Sequence, residues 1–218
     1  MTKVQRYITQ VAAALLAACL LYSAAGAESA AEPSIYYKDL PAGLQSRIAE
    51  SLSALAKAHP VSAEAKEIIT TTVQGMGSDP GPSNRQCAEK IKAQGQGAVT
   101  VLVDSLESQD DAVRKKVLWC LAMFESKSQG DSKADASIDE TLVLLYHRSL
   151  MDRSVEMRRL AATRLFAVGK ACKANPRSDV KLALQEAASS DPDADVRKLA
   201  DRLLATLEAI SRRTSPPK

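Results

Sequence analysis

The sequence predicts an all-α fold: a solenoid of about four helix pairs with a capping helix at its N-terminal side. Three observations carry that prediction. The first is a recurring cadence. Arg197 has Asp191 six residues before it, Val196 one before, Ala200 three after and Leu204 seven after, and Arg158 repeats the pattern with Asp152, Met157, Ala161 and Leu165. Arg114 has Val113, Val117 and Leu121 at the same offsets, with Ser108 in place of the Asp. Arg85 begins a weaker unit, with Asp79 and Ala88 in register but Asn84 where an apolar residue is expected. The second is the spacing: the four arginines stand 29, 44 and 39 residues apart, in the range of two-helix repeats. The third is composition. Aromatic residues are 4% of the chain, with one Trp and two Phe, which suits closely packed helices rather than sheets.

Each unit is legible as a helix pair. Asp110, Ser154 and Asp193 stand where a helix begins and can accept from its free backbone N–H groups. In the Arg85 unit Gly81 takes that place, followed by Pro82. Apolar residues at offsets −1, +3, +7 and +10 make one stripe of the second helix. The first helices are expected over Ala63–Val73, Ala98–Leu106, Ile138–Leu150 and Val180–Ala188. A pair with one apolar side must stack on neighbours to close its core.

The segments Asp191-Pro-Asp-Ala-Asp-Val-Arg197, Asp152-Arg-Ser-Val-Glu-Met-Arg158 and Gly97–Leu106 with Asp110-Asp-Ala-Val-Arg114 resemble the HEAT-repeat family, in the short HEAT-like form of the phycobilin-lyase type. The resemblance covers about Ala63 to Ile210. It implies a right-handed α-solenoid of about four HEAT-like helix pairs, in which the second helices line a concave face. It also implies that Arg114, Arg158 and Arg197, with Asp152 and Asp191, are structural, tying successive turns together. Arg158 to Asp152 and Arg197 to Asp191 are the expected local partners.

Residues 1–27 read as an export signal. Lys3 and Arg6 precede the apolar run Val11–Tyr22, and Ala25-Gly26-Ala27 supplies small residues for cleavage. Two alternatives remain open: an uncleaved anchor, and a lipobox Leu16-Ala17-Ala18-Cys19 with lipid on Cys19. Membrane contact is expected only in those two cases. Cleavage after Ala27 takes the formal charge from +3 to +1, too small an excess for a nucleic-acid surface. The expected location is periplasmic or secreted, in a bacterial envelope.

Residues 28–39 are expected to be a flexible mature N-terminus, 40–210 the repeat domain and 211–218 a disordered tail. Leu44, Ile48, Leu52 and Leu55 make a helical stripe before His59-Pro60; this helix is expected to cover the open N-terminal side of the stack. Ser126–Ser137 has no apolar stripe and reads as an exposed loop.

No cofactor or metal is expected, and no catalytic residue. His59 and His147 are the two histidines; a solvated or capping role suits the first, and a core-edge position bonded to backbone the second. No His/Cys/Asp cluster has ligand spacing, and no phosphate loop or nucleophile elbow is present. Cys87, Cys120 and Cys172 survive cleavage; Cys120 falls on a buried stripe, and Cys87 lies in the adjacent unit, close enough to leave a bridge open.

Offsets +1 and +5 point away from the core. They hold Gln86, Lys115, Arg159 and Lys198, and Lys90, Trp119, Thr163 and Arg202. A basic ridge around the single Trp, formed by Lys115, Trp119, Arg159, Lys198 and Arg202, is therefore the expected site for a protein or peptide partner. The expected function is a noncatalytic scaffold. The alternatives are a lyase-like enzyme or pigment or cofactor chaperone, and an envelope lipoprotein scaffold held through Cys19.

Overall fold

The computed structural model describes residues 40–77, 82–125, 133–171 and 178–214. The expectations for the export signal, Cys19, residues 28–39, Asp79, Gly81, Cys172 and the last four residues lie outside them. The described residues form nine α-helices and no strand: α1 Ala42–Ala58, α2 Ala63–Gly75, α3 Pro82–Lys92, α4 Ala98–Ser105, α5 Asp111–Ala122, α6 Lys133–Ser149, α7 Val155–Ala171, α8 Ser178–Ser190 and α9 Ala194–Thr214. None is long and apolar enough to cross a membrane.

Local chemistry sets the helix starts. The Ser62 side chain accepts from Ala65 N at 3.1 Å and Asp110 from Ala112 N at 2.8 Å. Asp193 accepts from both Asp195 N and Val196 N at 3.0 Å. Each satisfies donors that a helix cannot use internally. After α3 the chain turns at Gly95, whose φ of 85° suits a residue without Cβ. Gly97 then admits the α1–α2 connection: a Cβ there would lie 2.2 Å from the His59 carbonyl oxygen.

Two boundaries differ from expectation. Helix α6 begins at Lys133, inside the stretch read as a loop, and α9 runs on to Thr214 where fraying was expected. The second has a visible cause. Ile210 and Ser211 are half-buried, and Arg212 meets Glu208 one turn back at 3.8 Å, a spacing that supports a helix end.

Helices pack in sequential pairs, α2 on α3, α4 on α5, α6 on α7 and α8 on α9. The second members also pack on one another in order, α3 on α5, α5 on α7 and α7 on α9. Ile91, Val117, Leu121, Met157, Ala161, Leu165, Val196 and Ala200 are fully enclosed between the layers. All but Ile91, six after Arg85, are stripe positions, so in the three stronger units the 3.6-residue period of the sequence is the period of burial.

Helix α1 is the exception to the expected order. It packs chiefly on α6, with a smaller contact on α4, rather than over the first pair. Ser51 Oγ meets Thr141 Oγ1 at 2.6 Å, while Pro41 lies beside the segment from His147 to Arg153, so α1 runs antiparallel to α6. Leu44, Ile48 and Leu55 are buried there. This explains why Leu142–Tyr146 is apolar on all sides: with α1, α7 and α8 around it, the whole run is buried. Asn84, which interrupts the stripe of α3, is buried for a different reason. It accepts from Gly77 N at 2.9 Å and donates to Gly77 O at 3.1 Å, closing the chain ahead of α3 with two bonds that an apolar residue could not make.

Candidate functional site

The repeated arginines form a buried ladder, and its rungs run between units. Arg114 Nε donates to Asp152 Oδ2 at 2.8 Å and its Nη2 to Oδ1 at 3.0 Å. Arg158 holds Asp191 in the same way, at 2.8 and 3.1 Å. The third nitrogen turns back to the residue six before: Arg114 Nη1 to the Ser108 carbonyl at 2.6 Å, Arg158 Nη1 to the Asp152 carbonyl at 2.7 Å, and Arg197 Nη1 to the Asp191 carbonyl at 2.5 Å. The expected local pairs are thus corrected. Within a unit each Arg binds a main-chain carbonyl, and the carboxylate that Arg114 and Arg158 grip with Nε and Nη2 belongs to the next unit; Arg114 Nη2 also meets Asp111 of its own helix.

This geometry accounts for the departures from the cadence. Ser108 serves Arg114 as well as Asp would, because only its carbonyl is used. A carboxylate at 108 would serve the preceding Arg85, and Arg85 instead lies exposed and bonds Glu89 at 3.1 Å on its own helix. Each rung Asp also caps a turn: Asp152 accepts from Ser154 N at 2.7 Å and Asp191 from Asp193 N at 2.8 Å. Burial pushes the Asp152 carboxyl up to about 6, against the pull of the Ser154 N–H and of the Arg153 and Arg158 guanidiniums. It remains an anion at neutral pH, as bidentate pairing with Arg114 requires.

The surface row beside the ladder is also paired. Lys115 binds Glu156, and Arg159 binds Asp195 at 2.9 Å with Asp193 at 3.8 Å. The Lys115 ammonium, by hydrogen bond and charge, holds the Glu156 carboxyl below its ordinary value. Lys115 and Arg159 are therefore engaged in ties between units, and the expected basic ridge is a mixed row of both signs over those levels. Trp119 is half-buried and packs against the core rather than standing free. Lys198 and Arg202 are exposed, with Arg202 Nε donating to the Lys198 carbonyl at 3.3 Å. The acids at offset −2, Glu156 and Asp195, were missed in the sequence. Their recurrence two before successive repeat arginines, opposite the +1 cations, was the available signal.

A cleft of about 550 Å3 opens where α6 and α8 end, beside Pro41. Leu150, Met151, Ala183 and Ala187 give it an apolar floor. His147 Nε2 meets Glu186 Oε2 at 2.9 Å along its wall, so the partner of His147 is a carboxylate and not the expected backbone. One residue before His147 on α6, the buried Tyr146 hydroxyl donates to Glu125 at 2.8 Å, and Arg164 Nη1 approaches the same carboxyl at 3.5 Å. Burial raises the Glu125 carboxyl, with Arg164 and Tyr146 opposing it.

Cys87 and Cys120 are free thiols. Cys120 is fully enclosed, 3.6 Å from the Met76 sulfur, and burial pushes its thiol up to about 12. Among the described residues no group of three His, Cys, Asp or Glu side chains is placed to hold a metal ion. No family model, curated protein or solved structure matches the chain.

Proposed function

We propose that the protein is a noncatalytic, exported scaffold of HEAT-like units, a right-handed α-solenoid that holds a protein or peptide on the face formed by its second helices. The observation that carries this reading is the ladder. Arg114 to Asp152 and Arg158 to Asp191 clamp α5, α7 and the start of α9 in consecutive register. Lys115, Arg159 and Lys198 share one offset on successive second helices, with Trp119 and Arg202 one turn further along theirs, and in this reading a bound chain meets two ion pairs, a half-buried aromatic and two exposed cations. A rigid row presenting one aromatic among charges suits recognition, because little ordering is left to the moment of binding.

The test uses side chains outside the ladder. Affinity capture from the native envelope is compared between the wild type and the double variant Trp119→Leu with Arg202→Glu. Loss of a captured partner at an unchanged melting temperature supports the row as the site. Retention of every partner by the folded variant refutes it.

The cleft favours a second reading, a lyase-like enzyme or a pigment or cofactor chaperone. Its volume of about 550 Å3 is that of a small-molecule site, and an apolar floor with a few polar groups is the usual lining. Visible absorbance or added mass in protein isolated from its own source supports that reading, and its absence there counts against it.

A further inference from the structure

We propose that the C-terminal end of the stack is a second docking site, for a partner protein presenting an acidic helix start with the spacing Asp-x-x-x-Asp/Glu. The chain itself shows how such a segment is held. Asp152 and Glu156, four residues apart at the start of α7, are taken by Arg114 and Lys115 of the preceding unit. Asp191 and Asp195, four apart at the start of α9, are taken by Arg158 and Arg159. Arg197 and Lys198 are the next cations in this series. The Arg197 fork is already aimed, since its Nη1 is fixed to the Asp191 and Pro192 carbonyls at 2.5 and 3.1 Å. In Arg114 and Arg158 the Nε and Nη2 edge holds a carboxylate. Among the described residues no carboxylate meets that edge of Arg197, and none meets Lys198.

A second observation marks the same end as unfinished. The leucine seven after the repeat Arg is fully enclosed in the two preceding units, as Leu121 and Leu165, but Leu204 is only half-buried. Leu203 is also half-buried. The end therefore offers half-buried leucines about two turns along α9 from Arg197, whose fork is fixed, and from Lys198. The chain's own first unit is a poor occupant, because Ser83 stands two before Arg85, where an acid would be needed to meet Lys198. A foreign acidic helix start is the better fit, by charge and by spacing.

The probe is a synthetic peptide of residues 191–204, which carries this chain's own acidic start, added to the full protein. Binding is read from the arginine Nε–H and backbone amide NMR signals. The expected result is a saturable shift of Arg197 Nε–H and of amides at the start of α9. A peptide with Asp191→Asn and Asp195→Asn should bind at least about tenfold more weakly, the loss of one to two charge-assisted contacts. The protein variant Arg197→Gln with Lys198→Gln should lose the shifts while melting close to the wild type. Equal binding of both peptides overturns the proposal. So do shifts confined to Trp119 and Arg202, and shifts that appear with protein concentration alone, which would make a second copy the occupant. The site shares Lys198 with the second-helix row, but Arg197 belongs to it alone and Trp119 and Arg202 to the row alone, so the two readings can fail independently.

Discussion

Arg158 reaches forward to Asp191, 33 residues later in the chain, and touches Asp152 of its own unit only through the main-chain carbonyl. One guanidinium thus joins two successive helix pairs, closing its own loop with one nitrogen and gripping the next loop with two. The pair is almost wholly buried, so removing one partner leaves an uncompensated charge in a dry site.

From this follows a graded series of substitutions. Arg114→Ala and Arg158→Ala should each lower stability by about 3–5 kcal/mol, the usual cost of breaking a buried pair from one side. Arg197→Ala removes only hydrogen bonds to two carbonyls and should cost about 1 kcal/mol. Chemical denaturation of the three variants checks the order; equal losses at all three positions would contradict it.

Glycine substitutions separate a close approach from open space. In Gly97→Ala the new Cβ would meet the His59 carbonyl at 2.2 Å and Val61 Cγ2 at 2.7 Å. Because the first obstacle is backbone, the α1–α2 connection must shift, at a cost of about 1–3 kcal/mol. Gly43 in α1 has nothing within 4 Å of its ideal Cβ, so Gly43→Ala should stabilise by about 0.5–1 kcal/mol. Thermal melts of the two variants should move in opposite directions.

Acid sensitivity has a definite sign at Asp193. Its carboxyl lies below the ordinary value of 3.8, chiefly because it accepts from Val196 N, with Asp195 N and the Arg159 and Arg158 charges adding to the effect. The folded state therefore binds the proton less tightly than the unfolded chain. The contribution is fully present above the ordinary value and is lost as pH falls through the lowered one. Asp193→Asn should flatten that part of the stability–pH curve while leaving the curve above pH 5 parallel to wild type.

Thiol reactivity should divide the two described cysteines. Cys120 is enclosed and its thiol is pushed up to about 12, whereas Cys87 is half-buried. Since the thiolate is the reactive form, a maleimide added to native protein should label Cys87 well before Cys120. Peptide mass analysis of a time course distinguishes this from equal labelling.

The periodic parts of this structure were readable because a helix buried along one side repeats its apolar residues at the helical period. Val117, Ala161 and Ala200 had to face inward, and the offset from Arg114, Arg158 and Arg197 said so. Which carboxylate each Arg takes was not readable. Asp152 lies six residues before Arg158 and also one level beyond Arg114, and only the fold of the loop sends its oxygens to Arg114. Nor did the stripe Leu44, Ile48, Leu52, Leu55 say where α1 docks; it showed that α1 has an apolar side, not that α6 receives it. The pairing of Lys115 and Arg159 with Glu156 and Asp195 was overlooked. His147 and Glu186 lie 39 residues apart, the same interval that separates Arg158 from Arg197, so their meeting also carried a periodic signal.

In the ladder each unit's arginine is energetically tied to the next unit's aspartate. A double-mutant cycle on Arg158→Ala and Asp191→Ala, measured by chemical denaturation, tests it most directly. The ladder predicts a coupling of about 1.5–3 kcal/mol, as for close hydrogen-bonded charge pairs. Additive effects within about 0.5 kcal/mol would show that the two residues do not hold the units together.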